Sequence, residues 1–155
     1  MSQLRTQFSE GLKEAMRAKD QRRVSTLRLI LAALKDRDIA ARTGERTEVV
    51  SDEDILQLLQ KMVKQRNESI ETYEQAGRID LAELEREEKA IIESYLPKQL
   101  SQAEMEEAVR AVLAEIGAAG LKDMGRAMAE LKARFTGRMD FMKASGIVKT
   151  VLSGG

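Results

Sequence analysis

The chain has 155 residues, 26 Lys/Arg against 26 Asp/Glu, and neither cysteine nor histidine. The two missing residue types exclude disulfides, thiolate nucleophiles, a Ser-His-Asp triad and the common zinc sites, so no cofactor or metal is expected. No apolar run approaches the roughly 18 residues of a membrane span and the first residues lack a signal-peptide profile, so a cytoplasmic protein away from membranes is expected.

The predicted elements are all helices. Leu4, Phe8, Leu12 and Met16 recur at helical spacing and predict a first helix over Gln3 to Ala18. Val24, Leu27, Leu31 and Leu34 mark the inner face of a second, for which Gly44 supplies the stop. The loop "RTGERTEVV" leads to Ser51, a good N-cap, and Asp52, Glu53 and Asp54 place negative charge on the first turn of a third helix, where the helix dipole favours it. That helix runs to about Gln75 with Ile55, Leu58, Leu59, Met62, Ile70 and Tyr73 on one face, and "AGR" ends it. A fourth helix from Asp80 to Tyr95 carries Leu81, Leu84, Ile91, Ile92 and Tyr95, and the short turn before it predicts an antiparallel hairpin.

Two charged residues fall inside these apolar stripes, Arg66 in the third helix and Glu88 in the fourth. Folding the chain about Gly77 brings them to similar levels, so they are expected to form a structural buried ion pair. Such a pair is about neutral for stability and useful for register, whereas an unpaired buried charge is costly. No nucleophile or second acid lies near enough in sequence to suggest catalysis.

Pro97 is the only proline. It lacks an N–H and disfavours helix at Leu96, so the fourth helix must end near Tyr95. Ser101-Gln102-Ala103-Glu104 then reads as a capping box opening a fifth helix with Met105, Val109, Val112 and Ile116 inward. Asp123 is placed to cap a sixth, with Met124, Met128, Leu131 and Phe135 inward. After "TGR", Asp140 is placed to cap a seventh carrying Phe141, Ile147, Val148, Val151 and Leu152. Two domains are therefore expected: a helical bundle over 1–96 and a three-helix unit over 97–155, joined by a stiff turn at Pro97.

The neutral total conceals a pattern. Residues up to Val50 hold eleven Lys/Arg against seven Asp/Glu, Ser51 to Pro97 six against twelve, and Lys98 onward nine against seven. Basic ends flank an acidic middle, which mutual neutralisation between packed elements explains most simply.

The stretch "IETYEQAGRIDLAELEREEKAIIESYLPKQLS" from Ile70 to Ser101 closely resembles the GatB/YqeY domain family, with support from "RLILAALKDRDIAA" and "KDMGRAMAELKARFTGRMD". The likeness covers essentially the whole chain and is like the free-standing YqeY-like members. Other members carry the domain as a tail on the B subunit of the glutamine-dependent amidotransferase that corrects Glu-tRNA(Gln) or Asp-tRNA(Asn). The resemblance implies an all-α, two-part structure and an association with tRNA through the C-terminal part. It does not imply the amidotransferase's chemistry, since this chain has no counterpart of the domain that performs it; a carbon–nitrogen ligase label would be inherited from the family. The chain departs from the family's "PK-x-KGRADG" pattern at "KARFTGRMDFM", keeping Gly137, Arg138 and Asp140 but not the proline or the later glycine.

Phosphate contacts from Lys and Arg would supply most of any RNA affinity. Lys122 and Arg126 are one helical turn apart, Arg134 and Arg138 bracket the "TG" turn, and Lys149 follows in the last helix. These five residues are the RNA-binding candidates. Arg28, Lys35 and Arg42 form a neater row on the second helix, but at the edge of its apolar face, where basic side chains commonly lay their stems along the core. Tyr73 and Tyr95 lie on apolar stripes and read as core residues rather than stacking platforms. The sequence thus points to a non-catalytic tRNA-associated accessory module. A protein-interaction adaptor, docking on the amidotransferase or another protein, is the alternative.

Overall fold

The computed structural model describes residues 3–42 and 50–154. Among them every regular element is helical, so the protein is all-α. The helices are α1 (Gln3–Arg17), α2 (Gln21–Ala41), α3 (Asp52–Gln75), α4 (Ile79–Glu93), α5 (Gln102–Glu115), α6 (Met124–Phe135) and α7 (Phe141–Leu152). A single 3-10 turn, Leu121–Asp123, precedes α6. Contacts divide the chain into two compact units, one ending at Leu96 and the other beginning at Pro97.

In the first unit, Leu4, Phe8 and Ala15 of α1 meet Leu27, Ile30 and Leu34 of α2, Ile55, Leu58, Leu59 and Met62 of α3, and Ile92 of α4. The Phe8 ring meets Tyr95 edge-on at a centroid distance of 5.0 Å, and the Arg23 guanidinium lies over the Tyr95 ring. Gly11 is required where α1 passes this tyrosine, because a Cβ there would collide with the Tyr95 hydroxyl. Tyr95 is half-buried in the turn after α4, so it closes the aromatic side of the core from outside the helix that the sequence assigned to it.

Two inward faces differ from expectation. On α2 the fully buried residues include Thr26 and Ile30, because this helix packs on α1, α3 and α4 and so buries more than one stripe. The Thr26 hydroxyl donates to the Arg22 carbonyl at 2.8 Å, which satisfies it locally. On α4 Ala82 is fully buried together with the expected Ile92, while Leu84 is exposed. A small side chain is what the close packing of α4 on α3 admits, and the larger leucine turns outward. The Gly44 stop lies outside the described residues; α2 has already ended at Ala41, with Arg42 extended.

Charge ties bind the helices of this unit. The Arg5 guanidinium donates to both carboxylate oxygens of Asp38, at 2.9 and 2.7 Å, and to the Val50 carbonyl at 3.0 Å. Asp38 also accepts from the Val50 amide at 2.9 Å. One carboxylate thereby joins α1, α2 and the approach to α3. Arg66 Nε lies 3.4 Å from a Glu88 oxygen, both side chains being largely buried at 16% and 17% exposure. Arg22 of α2 approaches the same Glu88 at 3.9 Å and Glu87 at 3.2 Å, so the pair is part of a larger cluster. Arg86 reaches back across the hairpin to Glu74.

The second unit has its own core of Met105, Val109, Val112, Leu113, Ala127, Leu131, Met139, Ala144 and Val148. Its helix starts are defined by short side chains. Ser101 Oγ accepts from the Glu104 amide at 3.1 Å while Glu104 accepts from the Ser101 amide at 3.0 Å, a complete capping box. Asp140 accepts from the Met142 and Lys143 amides at 3.0 and 3.2 Å and caps α7. Asp123 does not cap α6. Its carboxylate turns back to the Ala119 and Gly120 amides, at 2.8 and 3.3 Å, and closes the 3-10 turn instead.

Candidate nucleic-acid interface

Nucleic acid is held chiefly by cations that are free to meet phosphates, so the state of each basic side chain decides what a surface can do. In the first unit the arginines with carboxylate partners are many: Arg5, Arg22, Arg66, Arg78 and Arg86 all form ion pairs. The acidic α3–α4 hairpin consumes most of these charges within the unit. Arg28 and Lys35, two of the three residues in the α2 row, are exposed rather than laid along the core edge.

The five candidates in the second unit fall into two groups. Arg126 pairs with Asp123 at 3.2 Å, and Arg134 pairs with Glu115 at 2.6 Å and Glu130 at 2.9 Å. Arg138 donates to the Lys98 carbonyl at 3.2 Å. Lys122, in the 3-10 turn, and Lys149, on α7, are exposed and make no ion pair among the described residues. Asp123 is held below its ordinary value, first by the Ala119 and Gly120 amides and then by Arg126, which favours its charged form beside Lys122. The "KDMGR" segment therefore offers one uncommitted lysine next to a neutralised arginine rather than two free cations.

The segments that carry the family resemblance meet each other. The Gln99 side-chain amide donates to the Pro97 carbonyl at 2.9 Å and to the Gly137 carbonyl at 2.6 Å. The Leu100 amide donates to the Arg138 carbonyl at 2.9 Å, and Arg138 returns a bond to Lys98. Gly137 has φ +82°, the left-handed conformation that glycine adopts without penalty. "LPKQLS" is thus a brace on the "TGR" turn, which sets where α7 starts. The departure from the family pattern in this turn leaves the brace intact, because its bonds use the Gln99 and Arg138 side chains and backbone atoms, and Gly137 and Arg138 are both kept.

Two further cations, Arg110 of α5 and Lys143 of α7, also lack an ion pair among the described residues and line one groove. Sequence reasoning passed over Arg110, although Gln102, Glu106 and Arg110 recur at the spacing of one helix face. Lys143 is not among the five candidates either, although it lies on the same helix as Lys149. The relevant neighbour is on another helix, which spacing along α7 does not reveal. Among the described residues no cluster of carboxylates is arranged to hold a metal ion.

Comparison with known proteins bears on the family. The family described as Yqey-like protein matches residues 5–152. "Altered inheritance of mitochondria protein 41, mitochondrial" of Lachancea thermotolerans is 36% identical over 111 residues, 70% of this chain and 57% of that protein. The protein of the same name from Clavispora lusitaniae is 40% identical over 85 residues, 55% of this chain and 46% of its own length. That from Pyrenophora tritici-repentis is 29% identical over 133 residues, 79% of this chain and 68% of its own. The chain spans about half the length of the first two of these curated relatives. Their names overturn the cytoplasmic placement expected from composition, since these relatives are named as mitochondrial. Charge balance and the lack of an apolar span separate membrane-crossing from other chains, but they carry no signal that distinguishes one aqueous compartment from another. No described helix is long and apolar enough to cross a membrane.

Proposed function

Because the chain belongs to the YqeY-like family, matched over residues 5–152, we propose that it is a non-catalytic accessory module that associates with tRNA through its C-terminal unit. The observation that carries this reading is a pair of uncommitted cations on the unit that the resemblance ties to tRNA. Lys122 and Lys149 are exposed and form no ion pair among the described residues, whereas Arg5, Arg22 and Arg66 of the first unit are tied to its own carboxylates. The resemblance to the amidotransferase tail supplies the kind of RNA. Arg126, Arg134 and Arg138 support the surface by holding the 3-10 turn, the end of α6 and the start of α7 in place, and Lys122 and Lys149 meet phosphates.

The test is a fluorescence-anisotropy titration of the full chain against bulk tRNA at low and moderate salt. Binding through a few phosphates weakens steeply as salt rises, and Lys122→Glu with Lys149→Glu reduces it further. Absence of binding at low salt would end the RNA reading and leave the adaptor reading in its place.

A further inference from the structure

Helices α5 and α7 enclose a groove with a volume of about 480 Å³. Its lining divides by chemistry. Ile147 and Val151 give it apolar surface beside Gly146, and Arg110 and Lys143 bring a cation from each helix. Glu106, the carboxylate that lines it, accepts from Gln102 at 3.1 Å and pairs with neither cation. Met142, one turn before Gly146 on α7, is 77% exposed.

Gly146 makes this groove informative. It lies in the interior of α7, where glycine weakens a helix relative to almost any other residue. Nothing in the fold requires it there. Its φ is not left-handed, and a Cβ built on it would meet no atom within 4 Å. Gly125 is equally unconfined, but it sits in the first turn of α6, where interior propensity counts for less. A glycine that the chain's own packing does not need, set in a groove wall, suits close approach by an outside backbone.

We propose that the α5–α7 groove docks an amphipathic helix of a partner protein, with apolar residues one turn apart and carboxylates flanking them. The apolar residues enter over Ile147, Val151 and Gly146 beside Met142, and the carboxylates meet Arg110 and Lys143. This is the helix-in-groove mode, with anchors at i, i+3/i+4 and i+7 and charge selecting the partner. RNA fits less well, because an apolar wall and Glu106 offer nothing to a phosphate. The proposal does not rest on the tRNA reading, whose Lys122 lies on the 3-10 turn and whose Lys149, though on α7, does not line the groove.

The test is selection of a randomised helical-peptide library, displayed on phage, against the immobilised full chain. The expected winners are acidic amphipathic helices. They bind Arg110→Glu/Lys143→Glu at least tenfold more weakly and Lys122→Glu/Arg126→Glu unchanged. Replacing their flanking glutamates by lysine restores binding to the Arg110→Glu/Lys143→Glu protein. Gly146→Leu fills the groove while improving helix propensity, so this variant melts no lower than the parent yet loses the peptides. Winners that are basic, or that ignore the groove substitutions, would overturn the proposal. Loss of tRNA rather than peptide binding in Arg110→Glu/Lys143→Glu would overturn it too, by making the groove an RNA site.

Discussion

The two units solve the same problem, packing amphipathic helices, with different means. The first uses aromatic contact and charge ties between residues far apart in sequence: Phe8 against Tyr95, Arg5 with Asp38, Arg22 and Arg66 with Glu88. The second combines local devices, a capping box at Ser101, an Asp140 cap and an Asp123 clasp, with the Gln99 and Arg138 bonds of its brace, around an aliphatic and methionine core. The first unit commits Arg5, Arg22 and Arg66 to ties between helices, although Arg28 and Lys35 stay exposed there, whereas in the second Arg110, Lys122, Lys143 and Lys149 form no ion pair among the described residues. The division of labour proposed above builds on that difference of degree, with the first unit as scaffold and the second as contact surface.

The largest effect that tests this contrast is in the first core. Phe8 is fully buried and Phe8→Ala removes both its own packing and the edge contact with Tyr95. The expected loss is about 3–5 kcal/mol. Urea denaturation followed by circular dichroism measures it, and hydrogen exchange read by mass spectrometry locates it. Protection should fall in α1 to α4; an equal fall in α5 to α7 would break the comparison.

A smaller effect separates the two kinds of tie. Asp38→Ala removes two bonds from Arg5 and one from the Val50 amide. The Asp38 side chain is only 14% exposed, so water screens it little, and the expected loss is about 2–3 kcal/mol. Ser101→Ala removes one cap bond and should cost about 1 kcal/mol. The two also differ in pH response. The Arg5 hydrogen bonds, opposed by burial and aided by the Val50 amide, hold Asp38 below its ordinary value. Its contribution is therefore complete above the ordinary aspartate range and is lost as pH falls through the depressed native value. The gap between parent and Asp38→Asn should narrow in acid; the gap for Ser101→Ala moves there only through Glu104, an exposed carboxyl held below its ordinary value by the Ser101 amide and hydroxyl.

What was legible in the sequence tracks the same distinction. Helix starts at Ser51, Ser101 and Asp140 rest on side chains two or three residues from the amides they cap, and all three are present as bonds. On α2 the expected Val24, Leu27, Leu31 and Leu34 all meet the core, but Thr26 and Ile30 were not legible, because other helices bury them. Leu84 was assigned inward on hydrophobicity, but the α3–α4 spacing selects Ala82. Asp123 has the right position for a cap and takes different amides, since the 3-10 turn presents Ala119 and Gly120 to it first. The Arg5–Asp38 tie crosses 33 positions and left no periodic trace. The groove cations were missed for the same reason, as Arg110 and Lys143 are neighbours only across helices.

The smallest predicted effect concerns the charge cluster around Glu88. Glu85 is half-buried on α4, and its carboxyl is pushed above the usual range by burial, then by repulsion from Glu88, with Arg66 partly offsetting both. The native state therefore keeps this proton to higher pH than the unfolded chain does. Stability from this group is fully present below the ordinary glutamate value and falls as pH rises through the raised native value. Glu85→Gln should consequently stabilise the protein at pH 7, by about 0.3–0.5 kcal/mol given solvent screening, and the gain should vanish in acid, where both forms are neutral. Removing Arg66 takes away the attraction that offsets the repulsion, so the gain from Glu85→Gln should be larger in an Arg66→Ala background. Urea melts of the four combinations at pH 7 and pH 3 read this coupling. A gain unchanged by Arg66→Ala would mean that the cluster is a set of independent surface charges rather than a coupled tie between helices.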